Sequence, residues 1–286
     1  MRIGFAFIPQ KATEKQVDDY IVRVKEAFPN CYVLLSAMLI NGYVIDINKP
    51  FLDFITITKQ KEGLVKRYPP LLAKAWEEGL NYLFFNIRIL AYPVETFISF
   101  VRNAMSKYPV ADLVIAEPRL DPMDQEFREA ISNTNTRRRI LVDTFLNFTL
   151  TQARDGARDY KNVNAGTFGL RLTDEVMKAL QSVKRDEDST LICPRMAWHI
   201  SNYYDNLTVK TLSVSDVHIS ELGFDLERAL SEIRYVVKLV GNRGMGFVIN
   251  STVSDFFATC EQVRDWKNNA DENWFWEVIV GKLKLA

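Results

Sequence analysis

Apolar positions in the first 120 residues fall into two alternating rhythms. Ile3–Ile8 is an almost unbroken apolar run stopped by Pro9, which predicts a strand buried on both faces. Val17, Tyr20, Ile21 and Val24 then recur at helical spacing, after Thr13 and Gln16. A Thr followed three positions later by Gln predicts a capping box at the helix start. This helix ends near Pro29; Cys31–Ser36 and Asp53–Thr58 read as the next two strands. Pro69 and Pro70 predict the opening of a second helix, with Leu72, Ala75 and Trp76 as its apolar face and Gly79 as its stop. Tyr82–Ile87 is strand-like, Val94–Ser106 helical and Asp112–Ala116 strand-like. The order β-α-β-β-α-β-α-β predicts an α/β fold: a mixed, mostly parallel sheet with helices on both faces.

The rhythm changes in the second half. Met123–Arg154 reads as one or two helices carrying a basic run, Arg137-Arg138-Arg139. Ala165–Leu172 is strand-like, Asp174–Val183 and Pro194–Tyr203 are helical, and Thr208–Val214 is a strand. From Leu222 onward the pattern is helical to the end, broken at Gly241–Gly246. The expected division is an α/β domain over 1–220 and a helical C-terminal extension over 221–286.

Composition narrows the function classes. With 286 residues, 48% of them hydrophobic, the chain can bury a sizeable core. Its 36 basic and 36 acidic residues cancel, so no global field draws it to nucleic acid or anionic lipid. Anion recognition must come from local clusters. Cys31, Cys193 and Cys260 are odd in number and far apart, and residues 3–8 are too short a run to span a bilayer. The expected location is the cytoplasm. Arg137–Arg139 has no interleaved aromatics, which argues against single-strand nucleic-acid binding. Trp266, Trp274, Phe275 and Trp276 form an aromatic C-terminus, read as a packing stripe or as a peripheral membrane or homo-oligomer contact.

In open α/β sheets ligands bind beyond the C-terminal strand ends. That gathers three stretches at one mouth: Ile8-Pro9-Gln10, Lys59–Arg67 and Asn86-Ile87-Arg88. The Lys59–Arg67 loop holds four cations and a glycine before a helix, which suits a diphosphate. Further on, Asn164–Arg171 is a Gly-containing turn into a strand, and Asp186-Glu187-Asp188 is followed by Arg195 and His218.

In this order the motifs resemble GT-A-fold, family-two-like glycosyltransferases, in particular the polyprenyl-phosphate mannosyl- and glucosyltransferases. The resemblance covers roughly residues 1–220 and rests on motif order. It implies a GT-A-like fold, a nucleotide-diphosphate sugar as donor substrate and a hydroxyl acceptor. Pro9, Ser36, Lys61, Lys66, Arg67, Asn86 and Arg195 are the implied donor-binding residues, and Gly166 and Arg171 the acceptor-binding ones. Asp188 is the implied general base, with Glu187 second.

Two departures bear on mechanism. The family usually carries Asp on its second strand, where this chain has Ser36, and Asp-x-Asp where this chain has Asn86-Ile87-Arg88. Mg or Mn prefers hard anionic oxygens, so the divalent metal is in question. Arg88 is expected to stabilise the leaving diphosphate instead, and His218 stands where metal-using relatives can place a ligand. The alternatives are a catalytically silent GT-A-like protein serving binding or assembly, and a sugar nucleotidyltransferase. The latter would show a Gly-rich basic loop after the first strand, which Ile8-Pro9-Gln10-Lys11 does not offer.

Overall fold

The computed structural model describes residues 1–9, 12–39, 48–59, 64–119, 125–152, 166–182, 206–218, 221, 226–241, 249–259 and 269–283. The chain divides into two units, Met1–Arg119 with Asn164–His218, and Leu120–Val163 with Ile219–Ala286. The segment 120–163, which the sequence reading placed within a 1–220 domain, thus groups with the C-terminal residues.

The first unit is α/β. Strands β1 (Ile3–Phe7), β2 (Tyr32–Leu39), β3 (Phe54–Lys59), β4 (Tyr82–Asn86), β5 (Leu113–Pro118), β6 (Thr167–Arg171) and β7 (Val209–Val214) form one sheet in the order β3-β2-β1-β4-β6-β5-β7. All neighbours pair in parallel except β6, which runs antiparallel between β4 and β5. This is the mixed, mostly parallel sheet that the periodicity predicts.

Helices cover both faces, as alternation along β1 dictates. On one face Phe5 packs against Phe28 and Phe97, and Phe7 against Tyr20 and Phe97. These rings belong to helix α1 (Glu14–Ala27), its C-cap, and helix α3 (Val94–Lys107). The capping box of Thr13 and Gln16 is present, and the buried residues of α1 are Val17, Tyr20, Ile21 and Val24. Helix α2 (Leu64–Glu77) lies on the opposite face, where Arg67 bonds to Ser36 of β2.

Helix α2 corrects one expectation. It starts at Leu64, before Pro69 and Pro70, which sit inside it. Each proline removes an interior helical bond, to the carbonyls of residues 65 and 66, so the helix runs through them without those two bonds. Trp76, expected on the apolar face, is exposed, while Leu71, Leu72 and Ala75 are buried. Gly79 does end the helix: its φ is 64°, with Leu80 N–H bonded to Ala75 C=O and Gly79 N–H to Trp76 C=O. That pair of bonds is a Schellman cap.

The second unit is helical among the described residues. Met123–Arg154 resolves into Gln125–Ser132 and Thr134–Gln152, and Leu226–Gly241, Ile249–Thr259 and Asn269–Trp274 follow, the last continuing through a π-helical turn at Phe275–Val280. The basic run is absorbed inside this unit. Arg139 is fully buried and pairs with Asp143 at 2.6 Å and Glu232 at 3.1 Å. Burial works against its charge, but these carboxylates more than offset that and hold its pKa above the ordinary value. Arg137 pairs with Asp271, and Arg138 lies 4.5 Å over the Trp274 ring. Phe275 packs against Phe145, Phe256 and Phe257. Trp274 and Phe275 are therefore interior, not a docking surface; Trp266 lies outside the described residues. No described helix is long and apolar enough to cross a membrane.

The β4–β6 pair sets a steric demand. Gly169 stands opposite Phe84, and a Cβ there would lie 2.5 Å from the ring. Gly169→Ala should cost about 1–3 kcal/mol through overpacking, read as a lower urea midpoint with unchanged slope. An unchanged midpoint would contradict this packing.

Candidate functional site

The strand order creates a crevice. The chain winds from β1 outward to β2 and β3, then returns to β4 on the other side of β1. The connections leaving β1 and β4 diverge, and the crevice between them is the preferred ligand position of an open α/β sheet. Pro9 lies half-buried at the end of β1, and Ile8 N–H donates to Asn86 C=O at 3.1 Å.

The turn after β4 is held from several directions. The Asn86 side chain is fully buried. Its Nδ2 donates to Tyr20 Oη at 2.8 Å, and its Oδ1 accepts the Arg88 N–H at 3.0 Å. Tyr20 Oη in turn donates to Tyr92 C=O at 2.9 Å. The N–H groups of Ala91 and Tyr92 both return to Arg88 C=O at 3.0 Å. Ile87 N–H donates to Gly166 C=O at 2.7 Å, and His218 N–H to Ala91 C=O at 2.8 Å. A Cβ on Gly166 would lie 2.8–3.0 Å from the aliphatic carbons of Arg88, so the arginine stem rests on bare backbone. Four remote segments, carrying Ile8, Tyr20, Gly166 and His218, thus hold the turn and the stem of one buried arginine.

A second cation lies beside β2. Arg67 is 3% exposed and Ser36 fully buried. Arg67 Nε donates to Ser36 Oγ at 3.2 Å, and its Nη2 donates to Ser36 C=O. No carboxylate pairs with Arg67 among the described residues. Burial pushes its pKa down to about 10, because the charged form has lost its water.

The structure therefore brings together Asn86, Arg88, Gly166 and the His218 backbone beside the end of β1 at Pro9, and separately joins Arg67 to Ser36. It separates Arg171 from them. Because β6 is antiparallel, Gly166 at its start meets Arg88, whereas Arg171 at its end pairs with Tyr82. Arg171 sits five residues further along the chain, about 17 Å away in an extended strand, bonded to Val110 C=O and 3.8 Å from Asp112. The expectation that it binds an acceptor at the mouth is corrected. Asn86 also changes role: both polar ends of its amide are spent on Tyr20 and Arg88, so it shapes the turn. Lys66 belongs to α2; Lys61, Glu187, Asp188 and Arg195 lie outside the described residues.

The residues at the Asp-x-Asp position do not fit a divalent metal. Asn86 is a neutral amide turned inward, its Oδ1 already accepting Arg88 N–H, and Arg88 is a cation. Among the described residues no group of three His, Cys, Asp or Glu is placed to hold one. His218 is exposed.

Three residues at this end were not singled out from the sequence. Tyr20 read as a core residue, although a tyrosine on a buried helix face must place its hydroxyl somewhere. Glu117 lies half-buried near the C-terminal end of β5. Asp216 follows β7 with φ 59°, its carbonyl accepting from Thr96 Oγ1 at 3.3 Å. The Ser-Val-Ser-Asp stretch carried that turn signal.

No protein-family model and no curated protein matches this chain. Among solved structures it is similar to a CMP:2-keto-3-deoxy-manno-octonic acid synthetase complexed with CTP, at TM-score 0.41 and 11% identity over 84% of this chain and 99% of that one. It is also similar to glucosyl-3-phosphoglycerate synthase from Mycobacterium tuberculosis in complex with Mn2+, UDP and glucosyl-3-phosphoglycerate, at TM-score 0.46 and 11% identity over 86% and 81% of the two chains.

Tyr20→Phe keeps the ring but removes the bond from Tyr20 Oη to Tyr92 C=O and the bond from Asn86 Nδ2 to Tyr20 Oη. It should cost about 1–3 kcal/mol. Burial raises the Tyr20 pKa well above 10.0, so as pH climbs past that value the unfolded chain releases this proton first. Wild-type stability from this group is thus present below pH 10 and lost above it. The gap between wild type and Tyr20→Phe should shrink in that alkaline window when both are unfolded in urea. A gap that widens with pH would contradict the assignment.

Proposed function

We propose that this chain is a glycosyltransferase that moves a sugar from a nucleotide-diphosphate donor to a hydroxyl acceptor without a divalent metal. The observation that carries the reading is the Arg88 turn at the switch point of the sheet, where a guanidinium stands in the place of a metal-binding carboxylate. The sequence resemblance over residues 1–220 supports the same reading.

In this scheme the acceptor hydroxyl attacks the anomeric carbon, and the carbon–oxygen bond to the diphosphate breaks. The hydroxyl proton passes to Asp188, with Glu187 as second candidate. The negative charge left on the diphosphate is taken by Arg88, with Lys61, Lys66 and Arg195 as further phosphate ligands. A guanidinium on this turn is preorganised, so little reorganisation is needed as charge develops. Pro9 borders the donor, and the acceptor approaches from the Gly166 side.

The second reading is a catalytically silent GT-A-like binding or assembly protein. What favours it is Asn86, whose amide is consumed inside the fold where relatives present a metal ligand. Turnover separates the two.

A thermal-shift series with UDP-, GDP-, CDP- and dTDP-sugars, each with EDTA and with Mn, tests the proposal. A donor at a hundred times its Kd should stabilise the chain by about 2.7 kcal/mol, and the shift should survive EDTA. Arg88→Ala should abolish that shift and lower transfer by about a hundredfold or more. Full transfer by Arg88→Ala, or binding that requires Mn, would overturn the metal-free mechanism. Binding without transfer or hydrolysis would favour the silent reading.

A further inference from the structure

The sheet ends differently at its two edges. β7, at one edge, leaves Lys210 and Ser213 exposed and buries Leu212 and Val214. A lysine on an edge strand discourages pairing with another chain. β3, at the other edge, carries no such guard. Between Asp53 and Lys59 it reads Phe-Ile-Thr-Ile-Thr, with no charge and no proline, and Ile57 is 46% exposed. Among the described residues no strand pairs with its outer side.

Register fixes which peptide groups lie on that outer side. Ile8 N–H meets Asn86 C=O, so even residues of β1 turn their N–H and C=O toward β4 and odd ones toward β2. In a parallel pair, a residue that faces its neighbour has a register partner that faces away. Phe5 and Phe7 are in register with Val33 and Leu35. Val33 and Leu35 therefore face β3, as the bond from Asp53 N–H to Val33 C=O shows for Val33. Leu35 and Ala37 are in register with Ile55 and Ile57. Ile55 and Ile57 thus present their N–H and C=O groups to the open edge.

We propose that a second copy of this chain pairs on that edge, with β3 antiparallel to β3 about a two-fold axis through Thr56. Ile55 then lies opposite Ile57 of the second copy, and Ile57 opposite Ile55. Each pair exchanges both of its N–H···O=C bonds. The same pairs set isoleucine against isoleucine across the seam and cover the exposed Ile57. Asp53 comes opposite Lys59 of the second copy, an acidic residue against a basic one, on both sides of the axis. An axis through Ile55 or Ile57 keeps the backbone bonds but sets Asp53 or Lys59 against an isoleucine. One register therefore matches polar, apolar and charged positions together, and a strand complementary to itself is what a two-fold interface requires. This inference is independent of the donor-binding reading.

The test is sedimentation equilibrium of the full chain across the micromolar range. The wild type should reach twice the 33.0 kDa of the chain. Ile57→Lys, which puts a charge on a residue already exposed, should be monomeric with an unchanged urea midpoint. Cysteine substitutions read the register. Thr56→Cys faces its own copy at about 4.5 Å between Cα atoms in a non-hydrogen-bonded pair, within disulfide reach. With oxidised glutathione it should form an intermolecular disulfide, identified by mass spectrometry of the peptide that contains residue 56. Ile57→Cys, whose counterpart lies on the diagonal, should do so at least about tenfold more slowly. A wild-type chain that stays monomeric throughout would overturn the proposal, and this result needs no variant to fold. A dimer that persists in Ile57→Lys would place the interface elsewhere and overturn it too, as would cross-linking through Ile57→Cys in preference to Thr56→Cys.

Discussion

The side-chain amide of Asn86 is the contact on which the mouth of the sheet depends. A fully buried amide must satisfy both its ends. Here one end reaches back to Tyr20 on α1 and the other folds forward onto Arg88 N–H. Tyr20 then passes the connection to Tyr92 C=O. Helix α1, the end of β4 and the start of α3 are thereby tied to one geometry. Arg88 inherits its position from that geometry, and Gly166 and His218 reinforce it from remote parts of the chain.

Charge is handled in two ways in this protein. The arginines at 137 and 139 are neutralised inside the helical unit by Asp271, Asp143 and Glu232. Arg67, almost as deeply buried, has a serine hydroxyl and a backbone carbonyl as partners. Burial of a guanidinium against neutral acceptors lowers its pKa and leaves its charge incompletely compensated. With no net charge on the chain, recognition of an anion must rest on such local arrangements.

Much of the α/β unit was legible in sequence because its elements are fixed by local pattern. The apolar positions of α1, the Thr13–Gln16 box and the Gly79 stop depend on neighbours a few residues away. The start of α2 was not legible, since prolines at 69 and 70 mark a helix opening by default and tolerance of them further in depends on context. Strand direction was hidden too. Nothing in Thr167–Arg171 states that β6 runs antiparallel, and that reversal alone moves Arg171 to the far edge and Gly166 to the mouth. Asn86 could be read as a site residue from its place in a motif. Its inward commitment to Tyr20, 66 positions earlier, is a tertiary contact that no spacing rule announces.

The most direct test of the account is a crystal structure grown in EDTA with the nucleoside diphosphate that binds most tightly. The account predicts the diphosphate at the β1–β4 crevice within hydrogen-bond distance of the Arg88 guanidinium, with no metal bridging it. A diphosphate bound away from Arg88, or one held only when a divalent cation is restored, would contradict it.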